Sequence, residues 1–336
     1  RRALRGKDQI LPGKRIKYWK NREFRQKHLK IRRPEGMIRK RAFAGKQQWK
    51  KDKGEKNMSN FLPIKDAVAK YIDGCAGKVS APFSRLFIRG ILPGVMIALG
   101  ASGSSVAAHS VDNVGLARLL SGVVFPVGLM MVIVLGAELF TGDCLMVMGT
   151  VDKKHTPLQL IRCLAIVYIG NLVGALLLAA AAYASGQFDY SAGGLGGYTI
   201  KVALGKATIS FGKAVISGIL CNFLVCAAVM MATCAKNIMG KLFCAFFAIM
   251  LFVVAGFEHC VANMYYIPAG IFAKGNPAYV QAAVERYGCA ADQISRLSWQ
   301  NFFVTNLIPV TIGNIIGGMV FVGLALYYGN KEKAVQ

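Results

Sequence analysis

The sequence has few acidic residues and lacks the patterns of metal, redox and nucleotide sites. Its 336 residues include 41 Lys or Arg but only 16 Asp or Glu. The four histidines are scattered, no two cysteines have Cys-x-x-Cys spacing, and no phosphate-binding glycine loop is present. We therefore expect no cofactor, no metal site and no step driven by nucleotide. The nine cysteines, mostly in apolar stretches, are expected to be buried thiols in a reducing setting.

The basic residues are concentrated at the start of the chain. Residues 1–57 contain 22 Lys or Arg, 5 Asp or Glu and no cysteine, whereas the rest of the chain is an apolar body with long uncharged runs. This composition argues against a soluble single-domain enzyme.

Three interpretations of the basic tail, residues 1–57, remain open. It is a disordered arm that binds nucleic acid, a polybasic segment attracted to anionic lipid, or a translated upstream stretch outside the natural protein. We favour the last, because Met58 precedes an amphipathic segment and because a purine-rich ribosome-binding site can encode residues 53–57. The domain division is therefore a tail, 1–57, and a membrane domain, 58–336, and we expect no nucleic-acid partner.

Six segments are long and apolar enough to cross a bilayer, which takes about 20 residues of helix. Acidic residues interrupt two of them: Glu138 and Asp143 in 119–151, and Glu258, beside His259, in 242–273. The uninterrupted runs are 90–108, 163–188, 214–235 and 297–330. The fold class predicted is therefore all-α with six transmembrane helices, of which the second and fifth are broken.

The placement of Lys and Arg predicts the orientation in the membrane. With the N-terminus inside, residues 58–336 place twelve Lys or Arg on the cytoplasmic side and seven outside. We therefore expect a multi-pass protein of the cell membrane with both termini in the cytoplasm. The seven outer residues include Lys201, Lys206 and Lys213, which follow a glycine-rich stretch, 193–197, interpreted as a flexible connector.

Three short motifs occur twice in the same order, which indicates a duplicated three-helix unit. Because each unit crosses the membrane an odd number of times, the two copies are inverted, and the substrate path of such folds lies where the broken helices meet. The glycines four residues apart in the third motif are interpreted as helix-packing positions. The matching pairs are Gly90-Ile-Leu92 with Gly218-Ile-Leu220, Gly136-Ala-Glu138 with Gly256-Phe-Glu258, and Ile169-Gly-Asn-Leu-Val-Gly174 with Ile312-Gly-Asn-Ile-Ile-Gly317.

The two breaks contain the polar side chains that a pore needs. Acidic groups in the middle of a membrane are costly, so they face protein or water, and broken helices are tolerated only where protein or a cavity satisfies the backbone. The first break offers the hydroxyl of Thr141, and the second offers His259, which can hold a hydrogen bond or supply a proton.

The motifs around these breaks resemble those of the formate/nitrite transporter family, over roughly residues 62–330. The resemblance implies a homopentamer of aquaporin-like protomers, each with its own pore for small monovalent anions. The motifs are Glu138-Leu-Phe-Thr-Gly142, Phe257-Glu-His-Cys-Val-Ala-Asn-Met264, Ile267-Pro-Ala-Gly270 and Asn306-Leu-Ile-Pro-Val-Thr-Ile-Gly-Asn-Ile-Ile-Gly-Gly318.

The resemblance also assigns roles to particular residues. Thr141 and His259 match the family's central polar pair, Lys206 its lysine at the outer vestibule, and Asn222, Glu258 and Asn263 the positions that orient the histidine or its neighbours. The apolar constrictions are expected at Phe125, Leu129, Leu139, Phe140, Val225 and Phe252.

These features predict a transporter for formate, with nitrite or hydrosulfide as the alternative substrate and membrane lipids and protons as partners. Either His259 supplies a proton so that formic acid crosses, or the anion crosses intact with Thr141, His259 and Asn222 replacing water. An alternative of another class is a membrane anchor that binds nucleic acid or lipid through its basic tail. An enzyme is not expected, because no nucleophile accompanies Glu258 and His259.

Overall fold

The computed structural model describes residues 59–330, so the predictions for the basic tail lie outside the described residues. All the long elements in this part of the chain are helices. They are α1 (Ile64–Val79), α2 (Phe83–Ala108), α3 (Val114–Leu135), α4 (Phe140–Val151), α5 (Pro157–Ala184), α6 (Gly194–Ala207), α7 (Phe211–Cys234), α8 (Ile238–Ala255), α9 (Cys260–Ala273), α10 (Pro277–Tyr287), α11 (Ala291–Ile294) and α12 (Asn301–Asn330).

The six predicted membrane segments are confirmed. Helices α2, α3, α5, α7, α8 and α12 are long and apolar enough to cross a bilayer, and α4 and α9 are shorter apolar helices that continue the second and fifth segments. Large apolar side chains on their outward faces are exposed, among them Leu158, Leu135 and Val114. Such a surface is stable only when lipid or another protein covers it.

Left-handed glycines end the helices that precede both breaks. Gly136 after α3 has φ 63°, and Gly256 after α8 has φ 76°. Residues with a Cβ rarely adopt this conformation, so glycine is favoured at both positions. A Cβ at Gly256 would also lie 2.5 Å from a guanidinium nitrogen of Arg118. The two predicted breaks are therefore present, at 136–139 and 256–259, and these glycines encode them locally.

Glycine contacts at two equivalent helix crossings confirm the inverted repeat. Gly90 in α2 meets Gly170 in α5, and a Cβ at Gly90 would lie 3.3 Å from the Cα of Gly170. The same crossing recurs between α7 and α12, where a Cβ at Gly218 would lie 3.1 Å from the Cα of Gly313. The repeated glycines are thus packing positions that let two backbones touch.

The interpretation of the glycine-rich stretch as a flexible connector is wrong. Its residues begin α6, which packs on α10 so closely that a Cβ at Gly196 would lie 2.4 Å from the ring of Tyr279. Tyr279 in turn donates a 2.5 Å hydrogen bond to Asp189 just before α6. The glycines therefore serve close packing, and the helix holds Lys206 in its last turn.

Candidate functional site

Thr141 and His259 meet in the centre of the fold, where the two broken segments approach each other. Thr141 Oγ1 lies 2.9 Å from His259 Nε2, and the two residues are 0% and 2% exposed. Each stands at the start of a half-helix, α4 or α9, whose positive N-terminal end favours an anion. The predicted central pair is therefore brought into direct contact across 118 positions of sequence.

The second ring nitrogen of His259 is already occupied. His259 is the N-cap of α9, and its Nδ1 accepts a 3.1 Å hydrogen bond from the backbone N–H of Ala262. A nitrogen that accepts this bond carries no proton, so the neutral ring holds its proton at Nε2 and donates it to Thr141. Formation of the imidazolium would set two N–H groups against each other and break the cap.

Two asparagines hold the broken backbones, and sequence reasoning missed both. Asn171 Oδ1 accepts from the N–H of Phe140, while its Nδ2 donates to the carbonyls of Gly90 and Glu138. Asn314 does the same in the second repeat, with the N–H of Cys260 and the carbonyls of Gly218 and Glu258. The bonds to the N–H of Phe140 and the carbonyl of Gly90, and those to the N–H of Cys260 and the carbonyl of Gly218, are 2.7 to 3.0 Å long. The signal was present in the repeated Ile-Gly-Asn motif, which was interpreted as packing only.

Asn222 acts on the threonine and makes no recorded bond to the histidine. Its Nδ2 donates to the carbonyl of Thr141 at 3.1 Å and to that of Asn314 at 2.6 Å. The thiol of Cys226, one helical turn further along α7, donates to the same Thr141 carbonyl at 3.3 Å. Together they fix the loop that aims the Thr141 hydroxyl at His259.

A cavity that we call the Lys206 cavity reaches His259 from one end of the fold. It has a volume of about 620 Å³. Lys206 donates to Glu258 Oε1 at 2.8 Å, and Asn263 and Asn306 donate to Glu258 Oε2 at 2.7 and 3.3 Å. Glu258 therefore holds Lys206 and not the histidine ring. Further cations on the walls are Arg118, Lys201 and Arg286.

The second cavity, the Lys78 cavity, opens at the other end of α2 and has a volume of about 590 Å³. The amphipathic helix α1 places Lys78 2.6 Å from both Glu138 Oε2 and Asp143 Oδ1. Arg89 adds a longer contact of 3.4 Å to Glu138 Oε1. Sequence reasoning identified the two acids as the interruption of a span but assigned no role to Lys78. The signal was the spacing, since Lys78 precedes Gly90 by twelve positions and Lys206 precedes Gly218 by the same number.

The predicted constriction residues fall into three groups. Phe125 and Phe252 border the Lys206 cavity, where their rings meet edge to face at 5.5 Å. Leu129 and Leu139 border the Lys78 cavity. Phe140 and Val225 are buried but border neither of these cavities, and the Phe140 ring packs instead on Tyr168 at 4.7 Å.

The fold and the site define a polytopic membrane protein with a transport pathway. The Lys206 cavity is lined by His259 and the Lys78 cavity by Gly142, the neighbour of Thr141. The two cavities open at opposite ends of α2, a helix of 26 residues that spans about 39 Å. A polar pair between apolar rings can replace hydration water, as selectivity sites do.

Comparison with known proteins assigns the family. A profile of the formate/nitrite transporter family matches residues 65–328. The chain is 36% identical over 269 residues to a probable formate transporter of Methanothermobacter thermautotrophicus, a match that covers 75% of this chain and 90% of the relative. It is 41% identical to the formate channel FocA of Haemophilus influenzae, over 65% of this chain and 76% of that protein. The chain therefore belongs to the formate/nitrite transporter family.

Solved structures agree with this assignment. A pentameric formate channel with formate bound has a TM-score of 0.65 and 33% identity, over 73% of this chain and 96% of that one. An ion channel of the same family has a TM-score of 0.65 and 26% identity, over 79% of this chain and 98% of that one. The relatives are channels and transporters, so the expectation that the protein is not an enzyme is confirmed.

Proposed function

We propose that this protein is a formate channel in which the hydrogen-bonded pair Thr141 and His259 carries the anion across the centre of the membrane. The observation that carries the proposal is the 2.9 Å contact between these two side chains, placed between a Lys206 cavity and a Lys78 cavity. The names of the relatives, formate channels and a formate transporter, support formate as the substrate. Nitrite and hydrosulfide are the competing anions.

Entry relies on charge, and crossing relies on hydrogen-bond donors. Lys206 and the cations around it raise the concentration of anions at the mouth. Formate then meets the constriction formed by the side chains of Phe125 and Phe252. Loss of its hydration water there is costly unless hydrogen-bond donors of the protein replace that water. The Nε2–H of His259 and the hydroxyl of Thr141 supply those donors, and the positive ends of α4 and α9 add to them.

We infer that formate crosses as the intact anion. Because Nδ1 of His259 accepts the Ala262 N–H, the ring serves as a neutral donor without a second proton to give. A channel for the anion moves one charge per formate, whereas transport of formic acid moves none. The two routes therefore differ in their response to a membrane potential.

The test is formate uptake by proteoliposomes that contain the full chain, with nitrite and hydrosulfide run in parallel. A potassium gradient with valinomycin sets the potential. We expect formate to enter faster than the other two anions and faster into liposomes that are positive inside. Uptake that ignores the potential would show that a proton accompanies formate. Rates no higher than in empty liposomes, for all three anions, would refute the proposal.

Assembly and orientation belong to the same proposal. The solved formate channel is pentameric, and we propose a homopentamer for this chain as well. The distribution of Lys and Arg supports an orientation with both termini in the cytoplasm, in which the Lys78 cavity faces inward. The mass of the detergent-solubilised particle and the labelling of single cysteines from one side check these two statements.

A further inference from the structure

The two mouths of the pathway are built from equivalent residues with one difference in charge. Lys78 and Lys206 are 128 positions apart, as are Gly90 and Gly218 of the repeat. Glu138 and Glu258 are 120 positions apart, and so are Asp143 and Asn263. The Lys78 mouth therefore has a carboxylate where the Lys206 mouth has an amide.

This difference changes what each lysine is bonded to. Lys206 faces a single carboxylate, Glu258, whose other oxygen is held by the amide groups of Asn263 and Asn306. Lys78 donates a hydrogen bond to Asp143 and lies 2.6 Å from an oxygen of each of two carboxylates, so an arriving anion competes with two negative charges for its ammonium. The positive charge of Lys78 therefore has two carboxylates beside it before any anion arrives.

The second carboxylate is itself incompletely satisfied. Asp143 is 2% exposed, and within residues 59–330 its Oδ2 has no hydrogen-bond partner. Arg89 offsets charge at Glu138, but its side chain is 46% exposed and its contact is 3.4 Å, so water screens it. A buried carboxylate with a free oxygen is a group that gains from binding a proton.

The groups around Lys78 favour its charged form. Burial alone would lower the pKa of Lys78, but Asp143, Tyr71 and Glu138 together raise it well above its usual value. Protonation of Asp143, the buried carboxylate with a free oxygen, is therefore the change that would leave Lys78 with one negative charge fewer beside it. The ionisable groups around Asp143 are Lys70, Tyr71, Cys75 and Lys78 of α1, Arg89 of α2, Cys144 of α4 with Glu138 before it, Cys163 of α5, Cys226 of α7 and Lys241 of α8.

We propose that Asp143 makes the channel asymmetric: it withholds Lys78 from entering anions, and protonation of Asp143 releases Lys78 for their capture. The inference rests on the proposed transport of small anions. Formate therefore enters from the Lys78 mouth with a higher KM than from the Lys206 mouth at neutral pH. As the pH falls, the KM at the Lys78 mouth falls, whereas the KM at the Lys206 mouth does not fall with it.

The experiment measures formate uptake into right-side-out and inside-out vesicles of cells that express the full chain. Asp143→Asn gives the Lys78 mouth the amide of the other mouth. We expect KM to fall in one vesicle type only, by about three- to tenfold, which is the effect of removing one close charge contact. In that vesicle type KM should also lose its pH dependence. The unchanged KM in the other vesicle type shows that the variant is folded. Asn263→Asp, the reciprocal change, is expected to raise KM in the opposite vesicle type.

Asp73→Asn is the matched control. Asp73 lies on the same helix as Lys78, is paired with Lys154 at 3.3 Å, and its side chain is 72% exposed, so its loss is expected to leave both KM values unchanged. If Asp143→Asn fails to reach the membrane, the KM of the wild-type protein is measured at about pH 5.5 and 7.5 in both vesicle types. A lower KM at the lower pH in one vesicle type only supports the role of Asp143, and an equal change in both, or none, contradicts it.

The outcomes separate this inference from the proposed function. Wild-type formate flux with an unchanged KM in Asp143→Asn overturns the role of Asp143 alone. Equal shifts in both vesicle types also overturn it, since Asp143 would then act on the shared centre of the path. A wild-type protein that moves no formate in either vesicle type overturns the proposed function and this inference with it.

Discussion

At the scale of single residues, the centre of the pathway depends on which atoms are left to meet the anion. The backbone of the first break is held by Asn171 and Asn222, and that of the second by Asn314. The Nδ1 of His259 is used within its own helix. What remains in the described structure is the bond between the Nε2–H of His259 and the Thr141 hydroxyl, two donor groups that an arriving carboxylate can take over.

Replacement of Thr141 by Val tests that pair directly. Val has nearly the same shape but no hydroxyl, so the anion loses one donor and His259 loses its acceptor. A hydrogen bond to a charged group contributes about 1.5–3 kcal/mol, and we expect the formate rate to fall about tenfold or more. Proteoliposome flux at a fixed amount of folded protein measures it.

Thr199→Val is the control for this substitution. Thr199 is also a buried threonine, but its hydroxyl bonds to the carbonyl of Leu195 in its own helix at 2.8 Å. We expect the flux of this variant to stay close to that of the wild-type protein. Equal flux in the Thr141 and Thr199 variants would remove the Thr141 hydroxyl from the mechanism.

At the scale of elements, each broken segment is stable because a neighbouring helix satisfies its free ends. Asn314, in α12, bonds the first N–H of α9 and carbonyls of Glu258 and Gly218. Asn171, in α5, has the corresponding role for α4. The breaks therefore depend on helices that are distant in sequence, and the repeat explains why both use asparagine.

We expect Asn314→Leu to destabilise the protein strongly. The change leaves three buried backbone groups without this partner, at about 1–3 kcal/mol for each group. In a domain of this size Tm falls by about 2–4 °C for each kcal/mol lost. Asn330→Leu is the control, because within residues 59–330 the Asn330 side chain bonds the carbonyl of Leu326 in its own helix. A Tm of Asn314→Leu equal to that of the control would contradict the structural role of Asn314.

The glycine crossing between α2 and α5 gives a second prediction at this scale. A Cβ at Gly174 would lie 2.1 Å from the carbonyl oxygen of Ile91, a backbone atom that cannot move without separating the helices. We expect Gly174→Ala to lower Tm or to prevent assembly, with a cost of at least about 1–3 kcal/mol.

Gly212→Ala serves as its control, since a Cβ at Gly212 would have no atom within 4 Å. Because alanine favours a helix over glycine by about 1 kcal/mol, this change is expected to be neutral or stabilising. Thermal denaturation followed by size-exclusion chromatography compares the two variants. Equal stability would show that the crossing tolerates a wider separation of α2 and α5.

At the scale of the whole molecule, the described residues contain both cavities, the central pair and all six membrane-spanning helices. The family match also begins only at residue 65. We therefore expect a chain of residues 58–336 to transport formate within about twofold of the full chain, since the lysines of both mouths are retained. Parallel proteoliposome assays make the comparison. Loss of transport on deletion of 1–57 would favour a function that acts through the basic tail.

Much of this architecture could be predicted from the sequence, because its determinants are local or repeated. Span length follows from the length of an apolar run, the breaks from Gly136, Gly256 and the acids that follow them, and the inverted repeat from motifs recurring in order. Thr141 and His259 were identified as a pair by family resemblance. By contrast, α6 was misread as a connector, because the glycines that break a helix in isolation are required where α10 packs against it.

The sequence by itself determined the membrane segments, their breaks and the family, since hydrophobic runs and ordered motifs need no knowledge of distant contacts. Only the tertiary structure decided what each polar group is bonded to. It paired Glu258 with Lys206 instead of the histidine, assigned the repeated asparagines to the broken backbones, and placed Lys78 between two carboxylates. The physical reason is that a hydrogen bond or ion pair requires contact within about 3 Å, and the partners here are 31 to 96 positions apart in the sequence.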